Sequence, residues 1–204
     1  LIYNQQDKIK ITQEKLRSLI EYNSISSYIK KQSSILEIGS GGGRMCDTIL
    51  SINKNISKYI LIDIPPALFF AYTRLKKSFP KKKIYYGINI SDEQTLAKII
   101  EKYEIILLFP SQIDLIKKKS IDLCLAIDCL HEMNGQTIQR YMKFVDLLSN
   151  FFYFEVHEIA QPPFSFNKLS IHNPKSYFIN SKWKLISKKR SLFPSHDFEC
   201  VYKI

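Results

Sequence analysis

The sequence predicts an α/β domain of Rossmann-like type, with a mostly parallel sheet, helices on both faces and a C-terminal antiparallel hairpin. Short apolar runs suited to strands buried on both faces recur at Ser34–Ile38, Lys58–Ile62, Glu104–Phe109, Ile121–Ile127 and Phe151–Val156, separated by segments of helical periodicity. The first run enters a glycine-rich loop, ILEIGSGGGR, from Ile35 to Arg44, which opens the next helix. At the end of the chain Phe198, Cys200, Tyr202 and Ile204 alternate against Glu199, Val201 and Lys203, and pair with a strand near Trp183, Lys182–Ser187, as a hairpin.

The 204 residues suffice for one sizeable core, so one domain is expected over 1–204: an N-terminal helical segment to residue 32, a ligand-binding core over 33–158, and a loop plus hairpin over 159–204. Leu1 is not an initiator Met, which leaves room for residues upstream. A hydrophobic content of 45% and a charged content of 24% fit a soluble globular protein. No apolar run nears the roughly 20 residues of a membrane span and no signal-peptide pattern opens the chain, so a cytoplasmic location is the expectation. Cys46, Cys124, Cys129 and Cys200 form no C-x-x-C pair and read as buried free thiols. The net charge of +11 sits in short runs at Lys76 and Lys77, Lys81 to Lys83, Lys117 to Lys119, and Lys188 to Arg190. Solvated surface and attraction to an anionic partner such as RNA, a phosphorylated glycan or a membrane surface both remain open.

In chain order, Thr12 is a candidate N-cap for a helix with Leu16, Leu19, Ile20, Tyr28 and Ile29 at helical spacing and a break near Asn23 and Ser24. Covering a ligand and packing on the sheet edge are equally open roles for it. The strand to Ile38 then meets the glycines, whose backbone admits a ligand closely at the positive end of a helix carrying Met45, Ile49 and Leu50 inward. A dinucleotide fingerprint, G-x-G-x-x-G/A, fails here because Arg44 occupies its last position. What fits is acid-x-Gly-x-Gly-x-Gly, through Glu37, Gly39, Gly41 and Gly43, with Ser40 between them. In this the chain resembles the class I S-adenosylmethionine-dependent methyltransferases. The resemblance implies a seven-stranded sheet and S-adenosylmethionine as cofactor.

Lys58–Ile62 ends in Asp63, placed to accept hydrogen bonds from both ribose hydroxyls of an adenosine, with Ile64 beside it; a helix-capping Asp ahead of Pro65 is the alternative. The next helix begins at the prolines and buries Leu68, Tyr72 and Leu75. Its opening, IDIPPALFFAYTRL from Ile62 to Leu75, resembles a family of bacterial sugar O-methyltransferases. Phe79–Ile90 reads as a short extra strand or an extended loop. Ser91 and Gln94 have capping-box spacing for a helix with Leu96, Ile99, Ile100 and Tyr103 inside. After Glu104–Phe109, the class I methyltransferases often place an acid against the adenine; the acid is absent here, leaving Ser111 or Gln112 for that role.

Ile121–Ile127 leads into Asp128, Cys129, Leu130, His131, Glu132 and Met133, which should face the ligand because it sits beyond the carboxyl ends of parallel strands. The sugar methyltransferases would have Asn-x-x-Ser-x-x-Glu-Met there; this chain keeps Glu132 and Met133 and has Ala126 and Cys129 at the other two positions. A helix over 136–148 buries Ile138, Tyr141, Met142, Val145 and Leu148, and Phe151–Val156 is followed by His157 and Glu158. The long polar and aromatic stretch over 159–181, with Pro162, Pro163 and Pro174, is assigned to the acceptor site.

Methyl transfer to a sugar hydroxyl needs donor and acceptor held in line and a general base within reach. The candidates are Asp128, His131 and Glu132, with Glu155, His157 and Glu158 on the next strand end; His131 is favoured by titration near neutrality and Glu132 by the resemblance. Asp128 is also a candidate for the donor's ammonium group. Glu155 and His157 share a strand face and with Asp128 could hold a divalent ion, but the spacing alone does not support a metal. The expected function is therefore S-adenosylmethionine-dependent O-methylation of a sugar or glycan, with surface-polysaccharide biosynthesis as the expected setting. The alternatives are a methyltransferase for RNA or protein, and a non-catalytic partner-binding protein that retains the fold. Against an acceptor in nucleic acid, the Asn/Asp-Pro-Pro-aromatic motif is missing after Ile127. Oligomeric state is not legible.

Overall fold

A computed structural model describes residues 2–4, 9–161 and 168–204. Two short strands, β1 (Ile2–Asn4) and β2 (Ile9–Ile11), pair antiparallel ahead of helix α1 (Gln13–Ile25). Thr12 caps α1 by accepting from the Lys15 amide at 3.1 Å, as its sequence position predicts. The helix runs unbroken past Asn23 and Ser24 and tightens into a 3₁₀ turn only at Ser26–Tyr28.

The central sheet is built from β3 (Ser34–Ile38), β4 (Lys58–Ile62), β5 (Ile84–Tyr86), β6 (Ile105–Leu108), β7 (Ile121–Ile127), β8 (Ser149–His157), β11 (Lys184–Arg190) and β12 (Asp197–Lys203). Its order is β11-β12-β8-β7-β3-β4-β6-β5. The six strands from β8 to β5 are parallel, while β12 runs antiparallel between β8 and β11. The expected seven strands are eight: Ile84–Tyr86, in the segment the sequence left open between strand and loop, adds to the free edge of β6. The remaining strands, β9 (Ile159–Ala160) and β10 (Leu169–Ser170), make a small antiparallel ribbon.

The helices are α2 (Arg44–Ile52), α3 (Pro65–Ser78), α4 (Glu93–Lys102) and α5 (Gly135–Leu148). Side chains alternate across each strand, so the sheet divides the core in two. One face packs Leu36, Ile60 and Ile106 under Leu96 of α4 and Ile138 and Val145 of α5. The other packs Ile35, Tyr59 and Leu123 under Ile49 of α2 and Leu68 and Leu75 of α3. Helix α4 is capped by Asp92 rather than Ser91: the Asp92 carboxylate accepts from the Thr95 amide at 2.7 Å, a stronger acceptor than a hydroxyl.

Two further expectations are corrected by packing. In α1 Leu16 and Leu19 are exposed, and the inward face is Ser18, Glu21 and Ile25. In the terminal hairpin, alternation implied one buried face, but β12 lies inside the sheet and buries Glu199 and Val201 as well. The edge belongs to β11, which carries Lys184, Lys188, Lys189 and Arg190 and so presents charge at its unpaired side.

Candidate active site

Parallel strands β4 and β7 flank β3, and the chain runs outward from β3 through β4 and β6 before returning to β7 on the other flank, so the strand order reverses at β3 and a crevice opens at the carboxyl ends. The glycine loop lies in this crevice, fixed to the tip of β4 by hydrogen bonds from the Gly39 and Ser40 amides to the Ile62 carbonyl, 2.9 and 3.3 Å. Gly39 and Gly41 have positive φ, which disfavours any side chain. At Gly39 a Cβ would also lie 2.4 Å from Cys129 Cβ, so this glycine lets the loop close on the turn that follows β7. At Gly41 a Cβ would meet nothing within 4 Å, so the bare backbone there faces open space. Gly43 does different work: as N-cap of α2 it lets that helix approach Ala71 of α3.

The open space is a cavity of about 590 Å³. Glu37, Gly39, Ser40, Gly41, Asp63 and Ile64 form one wall, and Asp128, Glu132 and Met133 form part of the other. Asp63 anchors the loop, accepting from the Gly41 amide at 2.6 Å through Oδ2 and from the Ile64 amide at 2.7 Å through Oδ1. Glu37 is buried and accepts from the Tyr59 hydroxyl at 2.7 Å. Burial pushes its carboxyl up to about 7, with the Tyr59 hydrogen bond opposing.

Ser111 and Gln112 lie outside the cavity lining. Gln112 is engaged with the backbone: its Oε1 accepts from the Phe109 amide at 2.8 Å and its Nε2 donates to the Gly87 carbonyl at 3.0 Å, locking the turn after β6. His131 also lies behind the lining, buried on the short 3₁₀ turn Leu130–Glu132. Its ring stacks on His157 with centroids 3.9 Å apart, and burial, aided by the neighbouring His157, pushes its pKa down to about 4. His131 is therefore neutral at pH 7 and poorly driven to take a proton, whereas Glu132 lines the cavity. Glu158 is engaged elsewhere, holding His172 and Arg190, each at 2.9 Å. Among the described residues, none of 159–181 lines this cavity. Pro162 and Pro163 of the stretch assigned to the acceptor fall outside the described residues, while Pro174 starts a 3₁₀ turn leading to buried Tyr177.

The architecture is shared. No protein-family model matches the sequence, and no curated protein matches it. In structure, the chain is similar to an S-adenosylmethionine-dependent methyltransferase from Clostridium acetobutylicum ATCC 824, at a TM-score of 0.60 and 10% identity over 96% of this chain and 93% of that one. It is also similar to a SAM dependent methyltransferase from Aquifex aeolicus, at 0.58 and 11% over 95% and 94%, and to one from Mesorhizobium loti, at 0.56 and 11% over 91% and 98%. The fold is the Rossmann-like methyltransferase fold.

Several side chains gathered beside the cavity escaped the sequence reading because they come from α1 and from the distant hairpin. Arg17 reaches across the strand ends, donating to Asp128 Oδ2 at 2.8 Å, Glu155 Oε1 at 2.9 Å and Asp197 Oδ2 at 3.3 Å. Buried Glu21 receives Arg17 Nε at 3.0 Å and both terminal nitrogens of Arg44. The residue that argued against a dinucleotide thus ties α1 to the start of α2. Burial, with Glu21 adding repulsion, pushes Glu155 up to about 8 despite Arg17. An Arg and a Glu at i, i+4 on the polar face of an amphipathic helix look like an ordinary surface pair, so no local signal marks them.

Proposed function

We propose that this chain is an S-adenosylmethionine-dependent methyltransferase acting on a hydroxyl, with a sugar or glycan as acceptor. The observation that carries the donor is the Asp63–Gly41 contact: a strand-end carboxylate and a positive-φ glycine with open space before it, facing each other across one cavity wall. A cavity of about 590 Å³ suits a nucleoside-sized ligand. Asp63 would receive the ribose hydroxyls, and the Gly39–Gly41 backbone would approach the donor's amino-acid part, with Glu37 beneath it. S-adenosylmethionine supplies a methyl group on a positively charged sulfur.

The chain's own part is to hold the acceptor in line and to take a proton. Of the two favoured bases, Glu132 lines the cavity and His131 does not, so Glu132 is the better-placed proton acceptor. The sugar rests on the resemblance of Ile62 to Leu75 and on Glu132 and Met133. Titration of the full chain with S-adenosylhomocysteine tests the donor. Saturable one-to-one binding is expected, and no heat at millimolar ligand would overturn the reading.

A further inference from the structure

Beside the cavity, on the far side of Asp128, five side chains from three strand ends turn ligand atoms toward one another. Asp128 Oδ1 lies 3.5 Å from His131 Nε2 and 3.8 Å from His157 Nε2. Asp197 Oδ1 lies 3.6 Å from the same His157 nitrogen and 3.4 Å from His196 Nε2. These separations exceed hydrogen-bond lengths of about 2.7 to 3.2 Å. They are close to the roughly 3.0 to 3.5 Å between neighbouring ligands of a cation with bonds near 2.1 Å.

Three further features agree. Asp197 is wholly buried, and its Oδ1 has no hydrogen-bond partner. Arg17 uses the other oxygen of each carboxylate, Oδ2 of Asp128 and Oδ2 of Asp197, leaving both Oδ1 atoms turned to the imidazoles. His157 and His196 are partly exposed, which gives an ion a route from solvent.

We infer that Asp128, His131 and His157 bind a divalent transition-metal ion, with Asp197 and His196 completing or supporting its shell. Two imidazoles and one carboxylate select zinc(II), manganese(II) or cobalt(II) over magnesium, which requires mostly oxygen ligands. Asp128 lines the cavity too, so the ion stands at its wall, where an acceptor oxygen could complete the coordination; that consequence rests on the methyltransferase reading, while the site itself does not.

The test is zinc(II) binding to the metal-stripped full chain, in competition with a chromophoric chelator. One tight site is expected, weakened at least about tenfold by His131→Ala and by His157→Ala and unchanged by His172→Ala, whose histidine lies on the surface with Glu158. Equal affinity in the wild type and a variant carrying both His131→Ala and His157→Ala would overturn it. Because His131 is buried and its variant could misfold, cobalt(II) added to the wild type gives a second readout: d–d absorption bands shifted and intensified over those of the aqua ion are expected, and a spectrum identical to that of the aqua ion at millimolar cobalt(II) overturns the site. S-adenosylhomocysteine titration of the same samples separates the two readings. Donor binding without metal binding sinks the metal site alone, and metal binding without donor binding sinks the methyltransferase reading alone.

Discussion

Asp63 and Glu132 hold the two ends of the proposed chemistry, and each can be tested alone. Asp63→Ala removes two charge-assisted hydrogen bonds to the glycine loop and the proposed ribose contact. Calorimetry should show S-adenosylhomocysteine affinity weakened by roughly 1 to 3 kcal/mol; unchanged affinity would refute the ribose role. Glu132→Gln keeps the shape and removes the base. With an acceptor sugar, kcat should fall by about 10²-fold or more while S-adenosylhomocysteine affinity holds. A kcat equal to wild type would return the base to another group. Asp63 stood out in the sequence because it directly follows a strand, and Glu132 because it lies in the short turn beyond the central strand β7. Gln112 does not line the cavity, and its amide satisfies two backbone groups that only the folded turn brings together.

Among the elements, α1 owes its place to ion pairs more than to apolar packing. Its inward face is Ser18, Glu21 and Ile25, and Arg17 spans the ends of β7, β8 and β12. Removing Arg17 leaves the buried carboxyls of Glu155 and Asp197 without their hydrogen-bond donor, at a cost of about 3 kcal/mol. Arg17→Ala should therefore speed amide hydrogen exchange over Gln13–Ile25, while the strands of the sheet stay protected. Uniform exchange across both would mean that α1 is not a separately latched element. Apolar periodicity grouped Leu16 and Leu19 with Ile20, Tyr28 and Ile29, yet both leucines are exposed, because a hydrophobicity pattern cannot register a buried ion network. At the hairpin, Trp183 donates to Asp146 of α5 at 2.6 Å. Trp183→Phe should lower the unfolding free energy by about 1 to 2 kcal/mol in denaturant titration.

For the whole molecule, two buried groups give opposite pH dependences. Glu37 is raised from 4.5 to about 7, so between those values the native state keeps a proton that the unfolded chain has lost, and stability falls as pH rises. His131 is lowered from 6.5 to about 4; over that range the unfolded chain holds the extra proton, and stability rises with pH. The two slopes oppose one another between about 4.5 and 6.5. Comparing wild type with Glu37→Gln isolates the first. The stability difference should change with pH by up to about 1.4 kcal/mol per unit in that range and level off above pH 7. A difference independent of pH would show that Glu37 titrates as an ordinary carboxyl.

The sequence by itself determined the alternation of strands and helices, the glycine loop and Asp63, and the position of Asp128 to Met133 beyond a strand end. Each of these follows from a local period or from the backbone freedom of glycine, and such signals survive in one dimension. The tertiary structure decided the eighth strand, the seating of β12 inside the sheet, and the joining of Arg17, Glu155, His157 and Asp197 around Asp128. Those groups are separated by up to 180 residues along the chain. Their meeting depends on which strands neighbour one another and on where burial leaves a charge in need of a partner, and neither is encoded within any single segment.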